Sequence, residues 1–412
     1  MVTWIQKLWD KKTSQVGHFL AWNQVGRPVW TPRQYDALTE EGYQKNVIVF
    51  RCVNLIARNV ATPPWILYQG DQEMDSHPLR TLMEYPNPLQ TRTAFLEALA
   101  SNILLSGNAY VEAVGEAGYV KELYLLRSDR MQVVPGRDGL PQGYVYQVSG
   151  QKRLIPVDLA RKKSPILHLK TFHPLNDWYG MSPVEAAASA IDQHNAVGGH
   201  NLALLQNGGR PTGALMVKSS ERRPGGNLSD LQRKSLQESV RNFYEGFENS
   251  GRIMVLEGDL DWKEMGLSPK DLDFIEGKNL SAREIAQAYG VPPMLVGVPG
   301  DATFANYREA RFHLWEDTVL PLLNMIMNEI NGWLMGSQGE NLRFSYDADS
   351  IPAMALRQEA QWARLENASF LTVNEKRQAV GYSPVKGGNT LPLETTKKDL
   401  YFKDNIIKGE RP

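Results

Sequence analysis

The sequence predicts an α+β fold, and three observations carry that reading. Val49, Cys52, Val53, Ile56, Ala57 and Val60 recur at helical spacing and stop before Pro63 and Pro64, because proline lacks a donor and clashes with the preceding turn. Phe95, Leu96, Leu99 and Ile103 repeat the pattern up to Gly107, which takes a left-handed cap conformation without steric penalty. Between and after these helices lie short runs of strand character: Trp65 to Tyr68, Ala109 to Val114, Tyr119 to Leu126 and Tyr144 to Val148. Gly-rich turns such as Gly136-Arg137-Asp138-Gly139 separate the later ones, as hairpins require. Residues about 31 to 180 are therefore expected to form one α+β unit.

At Ser182 the character changes. Ser182-Pro183-Val184-Glu185 combines an N-cap, a first-turn proline and a capping-box glutamate, so a long helix is expected to start there and run to Asn207-Gly208-Gly209. A small module follows, with a strand at Gly213 to Val217, a turn through Arg222 and Arg223, a helix from Ser229, and a strand pair about Gly258-Asp259. Leu272, Ile275, Ala282, Ile285, Ala286 and Tyr289 mark another helix, closed by Gly290 and Pro292-Pro293. After a Gly/Pro-rich loop, Tyr307, Ala310, Leu314, Leu322, Ile326 and Ile330 describe a helix to about Leu334, roughly 43 Å long at 1.5 Å per residue. Pro321 lies inside it and is expected to kink it. A charged helix, Ala353 to Asn367, a short helix capped by Thr372 with Glu375, and a charged, mobile tail from Lys397 complete the chain.

Composition bounds the function. The 412 residues are 42% hydrophobic and 22% charged, enough to bury a substantial core. No apolar run reaches the ~18 residues of a membrane span, and Met1 to Lys12 lacks the apolar core and cleavage site of a signal peptide, so export is not expected. One cysteine, Cys52, excludes intrachain disulfides and thiolate metal clusters. Lys+Arg (45) nearly balances Asp+Glu (46), which argues against a protein that grips nucleic acid through a broad basic field.

Signatures of catalysis are sparse. His168 and His173 are badly spaced for one helical face, and Ile166 to Lys170 reads as a strand; His194 and His200 point to different faces of a helix. Asp347 and Asp349 share a strand face and could hold a divalent ion with outside ligands, although turn or interface acids explain them more simply. Gly277-Lys278-Asn279 lacks the residues of a phosphate-binding loop, and neither a nucleophile elbow nor a His-Glu-x-x-His helix is present. No catalytic residue, metal or cofactor is expected.

Several strings share an order and spacing. They are Asn87-Pro88, Leu104-Leu105-Ser106-Gly107-Asn108-Ala109-Tyr110, His168-Leu169-Lys170, Gly180-Met181-Ser182-Pro183 and Asn207-Gly208-Gly209-Arg210-Pro211. Further on come Ile285-Ala286, Val291-Pro292-Pro293, Ala305-Asn306-Tyr307, Leu320-Pro321 and Leu371-Thr372-Val373-Asn374-Glu375-Lys376-Arg377. In this ordered set the chain resembles the portal proteins of long-tailed phages and of phage-like gene transfer agents, from about Gly42 onward.

That resemblance implies a ring, usually of twelve subunits, at a unique vertex of the virion capsid. An N-terminal arm (1–30) would precede a wing (31–181), a stem helix (182–207), a clip (208–270) and a second stem helix (271–290). A tunnel loop (291–305), the long wing helix (306–344), a crown (345–396) and a flexible tail (397–412) would follow. The short segment after Arg377 argues against a large helical crown. Val296, Gly297, Val298, Pro299, Gly300, Asp301, Ala302, Thr303 and Phe304 would face DNA, with Val298 and Phe304 offering apolar contact and Asp301 repelling phosphate. Lys270, Lys278 and Arg283 are the stem candidates for facing the channel, and Arg222, Arg223 and Arg252 the clip candidates for docking partners. The implied partners are other copies of the chain, double-stranded DNA held without sequence preference, the terminase large subunit, a head-tail adaptor and the major capsid protein, with assembly in the host cytoplasm and no membrane. The rival readings are a metal-dependent hydrolase of nucleic acid using Asp347, Asp349 and a histidine, and a head-tail adaptor, a class of generally shorter chains.

Overall fold

In a computed structural model the described residues are 31, 35–116, 119–136, 140–158, 164–206, 213–217, 231, 234, 238, 260–264, 274–300, 304–335, 341–348, 350–380 and 382–391. The expected arm (1–30), the tail, and most of the clip, including the greater part of the helix expected from Ser229, lie outside them.

The apolar periodicities become the helices of one core. Helix α1 (Tyr35–Thr39) passes through a π-helical turn to Gln44 and leads to α2 (Val47–Ala61), whose Val49, Cys52, Val53, Ile56, Ala57 and Val60 are all fully buried. Asn46 starts α2 by accepting from the amides of Ile48 and Val49 at 3.0 and 3.2 Å, satisfying two donors that a helix start leaves unpaired. Strands β1 (Trp65–Gln69) and β2 (Gln72–Glu73) precede α3 (Pro78–Glu84) and α4 (Arg92–Ser106). Helix α4 packs on α2 and ends at Gly107, at φ 72°.

Two three-stranded antiparallel sheets follow. One has the order β4-β3-β8, from β3 (Asn108–Glu116), β4 (Tyr119–Leu126) and β8 (Ile166–Lys170). The other, in the order β5-β6-β7, is built from β5 (Met131–Pro135), β6 (Pro141–Val148) and β7 (Gln151–Pro156). A small second core, Tyr110, Leu126, Met131, Tyr144, Ile155 and Ile166, joins them.

The helix expected from 182 to 207 is broken at Ala187 into α5 (Pro183–Ala186) and α6 (Ala188–Gln206); the Ser182 hydroxyl accepts from the Glu185 amide at 3.2 Å, as the cap reading requires. Strands β9 (Gly213–Val217) and β10 (Leu260–Glu264) pair antiparallel, Leu260 opposite Val217, and α7 (Phe274–Ala288) then packs against α6. The long helix comprises α8 (Phe304–His313), six π-helical residues (Leu314–Val319) and α9 (Leu320–Met335). The π segment lies immediately before Pro321, with the Leu320 amide bonded back to Trp315 O, so the ladder has already changed register where proline cannot donate.

Strand β11 (Leu342–Tyr346) returns to β1 with Trp65 opposite Tyr346, and Asn331 of α9 brackets Phe344 by bonds of 2.8 and 3.0 Å. The unit expected to end at 344 therefore extends further: the boundary between 344 and 345 falls inside this strand, and Ile351 is still buried in the main core. Beyond it α10 (Ala355–Glu366) and α11 (Val373–Ala379) complete the described chain, with the Thr372/Glu375 capping box formed in both directions.

Three of the sequence strings meet at one point. A Cβ on Gly107 would lie 2.6 Å from the Gly180 carbonyl, and one on Gly180 would lie 2.1 Å from Gly107 O and 2.6 Å from Thr171 N. Only glycine on both sides allows that approach, and it lets Thr171 N donate to Gly107 O at 2.9 Å. Asn108, 5% exposed, bridges the same backbones: Oδ1 accepts from Gly180 N at 2.8 Å while Nδ2 donates to Ser106 O at 2.7 Å. Its amide orientation is thereby fixed, so His168 Nε2, 3.0 Å from the same Oδ1, carries a proton and donates it. The imidazole stacks on Tyr110 at 4.2 Å and meets Tyr144 edge-on at 5.8 Å. Burial, with a smaller contribution from the Lys170 charge, lowers its pKa to about 3.

Two outcomes follow from this junction. Gly180→Ala is expected to cost about 3 kcal/mol or more in urea unfolding, because the new methyl meets backbone that cannot rotate away. For His168 the folded pKa is depressed from 6.5, so its contribution is complete above that value and is lost as the pH falls towards about 3, the unfolded chain binding the proton first. The stability difference between wild type and His168→Gln should therefore narrow by roughly 2 kcal/mol between pH 7 and pH 5.

Candidate functional site

The loop between α7 and α8 is where the sequence reading placed a channel surface. Helix α7 buries Ser281, Ala282, Ile285 and Ala286, with Tyr289 buried just after it, and leaves Lys278, Arg283, Glu284 and Gln287 exposed. It ends in a Schellman arrangement: Gly290 at φ 65° bonds back to Gln287 O, and Val291 N to Ala286 O, each at 2.9 Å. The Thr318 hydroxyl, from the π segment, donates to Gly290 O at 2.7 Å and stands where a Gly290 Cβ would come within 2.5 Å of it. The long helix therefore fixes where α7 stops.

Pro292 starts a 3-10 turn, Pro293–Val296, and Gly297 leaves it at φ 83°. Val298 then turns inward. It is 6% exposed, belongs to the main core, and its amide bonds to Pro293 O at 3.2 Å. This corrects the expectation that Val298 offers an apolar contact to DNA: a loop between two packed helices is held by its apolar residue, and Val298 is that anchor. Val296 is half-buried in the 3-10 turn, while Gly297, Pro299 and Gly300 are exposed. Residues 301–303, with Asp301, Ala302 and Thr303, lie outside the described residues, and Phe304 is already the first residue of α8.

The Arg283 guanidinium donates to Pro299 O and lies 3.4 Å from the position of a Gly300 Cβ. Two groups selected separately from the sequence, a stem cation and the loop, are thus in contact. Beside them is a concavity of about 360 Å³ lined in part by Gln287, Pro292, Pro293, His313 and Asp317. His313 Nδ1 is 3.3 Å from Asp317 Oδ2, and Nε2 is 3.6 Å from Glu309 Oε1.

A second polar joint holds α6 to the body. Because Asn46 Oδ1 caps α2, its Nδ2 must donate, to Asn195 Oδ1 at 2.9 Å and to His194 Nδ1 at 3.2 Å. His194 is 7% exposed, and burial, followed by the Lys278 charge, lowers its pKa, consistent with Nδ1 as an acceptor. Helical spacing sets His194 on a different face from His200 and does not reveal the joint; Asn46 directly before an apolar helical run is the available signal. Arg222, Arg223, Arg252, Lys270 and Asp349 lie outside the described residues. The Asp347 amide donates to Pro64 O at 3.2 Å, and among the described residues no three His, Cys, Asp or Glu side chains group as metal ligands.

Residues 47–381 match the family described as phage portal protein. The chain belongs to that family. Among its relatives, an uncharacterized protein of Rickettsia bellii (strain RML369-C) is 40% identical over 388 residues, 94% of this chain and 98% of the relative. The portal protein of Enterobacteria phage HK97 is 26% identical over 354 residues, 83% of this chain and 80% of its own. Solved gene transfer agent structures extend the likeness to the fold. A chain from the neck of an empty particle, computed with C6 symmetry, is 45% identical, covers 87% of this chain and 96% of its own, and superposes with a TM-score of 0.68. One from the neck of a native particle, computed with C12 symmetry, is 44% identical, covers 88% and 97%, and gives 0.66. The α+β portal fold expected from the sequence strings is the fold observed.

Arg283→Gln removes the tether from α7 to the loop without touching the core. Amide exchange at residues 297–300 is expected to accelerate about tenfold or more, while global stability changes by under about 1 kcal/mol, the scale of an exposed polar contact.

Proposed function

We propose that this chain is the subunit of a closed portal ring at one capsid vertex, through which double-stranded DNA is packaged and later ejected. The observation that carries the reading is the match, at 44% identity over 88% of the chain, to a gene transfer agent neck protein whose structure was computed with C12 symmetry. Twelve copies would join by one repeated head-to-tail contact, since a rotation that closes gives a ring whereas a two-fold contact stops at a dimer. In that arrangement α6 and α7 form the stem, the β9/β10 module the clip, the sheets with the long helix the wing, and the segment after about Ile351 a small crown.

The chemistry supports passage and not capture. Each phosphate neutralised by Lys or Arg adds a salt-dependent attraction, and ring symmetry multiplies it by the copy number. A chain with 45 basic and 46 acidic residues avoids that drag. Among the described residues of the loop, the exposed Gly297, Pro299 and Gly300 present backbone and a pyrrolidine ring, and the neighbouring Arg283 is engaged with Pro299 O. The ring itself is not an enzyme in this reading; a terminase large subunit supplies the work of translocation. Terminase and head-tail adaptor dock on the clip side, with Arg222, Arg223 and Arg252 as candidate contacts, and the major capsid protein surrounds the wing.

Negative-stain imaging of purified protein and of capsid-bound material is expected to show rings with a central hole and twelve-fold class averages. Monomers or dimers alone under all conditions, or cleavage of DNA by ring-free protein with a divalent ion, would replace this reading with the hydrolase that Asp347 and Asp349 could serve.

A further inference from the structure

The segment after the main core is folded but has almost no interior of its own. Ala353 and Met354 still pack against the main core, after which α10 and α11 depart from it. Between Glu359 and Leu391, the buried residues among those described are Asn374 and Gly388, one polar and one without a side chain. The local structure is nevertheless well specified. Thr372 and Glu375 form a complete capping box, and Asn374 Nδ2 donates to Val385 O at 3.0 Å while Val385 N donates to Asn374 Oδ1 at 2.7 Å. Gln361 Nε2 joins Ala379 O at 3.0 Å, and Lys376 Nζ joins Glu366 O at 3.1 Å.

What the segment displays is apolar. Trp362 is 53% exposed, Phe370 76%, Val373 45% and Tyr382 53%. A concavity of about 600 Å³ is lined by Phe370 with Leu365, Ala368 and Leu371, and by the polar Arg364 and Asn367. A helix of 12 residues is marginal in water without a face to bury, and units below about 40 residues need a disulfide, a metal or a partner. The sole cysteine is Cys52, far along the chain in the main core, so no disulfide can supply the missing stability.

We propose that α10 and α11 are completed by a second copy of this chain, with Trp362, Phe370, Val373 and Tyr382 burying against the adjacent subunit. The inference rests on the ring reading above. Two observations select a like copy over other occupants. The family match runs to residue 381, through α10 and α11, and related neck proteins matching 87–88% of the chain occur in six-fold or twelve-fold arrangements, in which every subunit meets identical neighbours. Exposed Glu359, Arg364 and Glu366 intersperse both signs along α10, a pattern that can pair with itself and offers phosphate no continuous cationic track. Folding of this segment is then coupled to ring closure, and its exposure marks the unassembled subunit.

The test uses the full chain carrying Phe370→Cys. Native Cys52 is fully buried and its thiol is pushed up to about 12 by burial, so it does not compete for a maleimide. Labelling is followed in monomer and ring fractions separated by size and verified by imaging, alongside amide exchange of residues 359–391 in the unmodified protein. The expected result is labelling and exchange at least tenfold slower in the ring than in the monomer. Trp362→Ser is expected to lower the ring fraction at a given concentration while leaving the unfolding midpoint of the monomer unchanged. Rings in which residue 370 labels as fast as in the monomer would overturn the inference and leave the portal reading standing. Protection that appears only when capsid protein is added would assign the surface to that partner instead. Failure of the unmodified protein to form rings at all would overturn the portal reading and this inference with it.

Discussion

The placement of the sheets and of the helices after them depends on the backbone contact of Gly107 with Gly180, where either side chain larger than hydrogen would displace main chain. Gly107 ends α4 and starts β3; Gly180 precedes the cap of α5. The contact therefore fixes where the sheets end and in which direction the chain enters α5 and α6. Asn108 converts the contact into a defined geometry by bonding both backbones, and His168 orients Asn108 from β8. Because the site is buried and its polar atoms are paired, loss of any member leaves a partner unsatisfied, a cost several times the worth of an ordinary surface contact.

The same device, a buried amide between elements, recurs where helices must hold position. Asn46 unites a helix cap with α6, and Asn331 fastens β11 to α9. The Trp333 indole donates to Ser164 O at 2.8 Å, tying α9 to the residues before β8. Apolar burial supplies the greater part of the favourable free energy but is non-directional, whereas these bonds choose one relative placement among many of similar burial. In the proposed ring that precision matters: a small error in the direction of α6 and α7 would be multiplied by each copy before closure.

The loop after α7, the channel surface of the proposed ring, is ordered by few contacts. Its ends are set by Gly290 against Thr318 and by Val298 in the core, and its tip is held by Arg283. Among its described residues, Gly297, Pro299 and Gly300 are the exposed ones. By contrast the segment after Ile351 is locally well capped yet apolar outside, the opposite assignment of order and stickiness. One surface suits transit and the other suits a lasting contact.

Much was legible in the sequence because the signals are local. Proline and glycine punctuation located the ends of α2, α4 and α7, the Ser182 and Thr372 caps located two helix starts, and strand alternation located β3, β4, β6 and β8. The ordered strings identified the family, although each string by itself only shapes backbone. What only the tertiary structure decided is where distant residues meet. Val298 is inside because the helices it connects are packed; α9 and β11 close on β1, carrying the body past 344; Arg283 reaches Pro299. The strings around Gly107, His168 and Gly180 are likewise one site. None of these follows from periodicity, because hydrophobic spacing tells which face of an element is buried but not against what, and the partner is chosen by long-range packing that no short window of sequence contains.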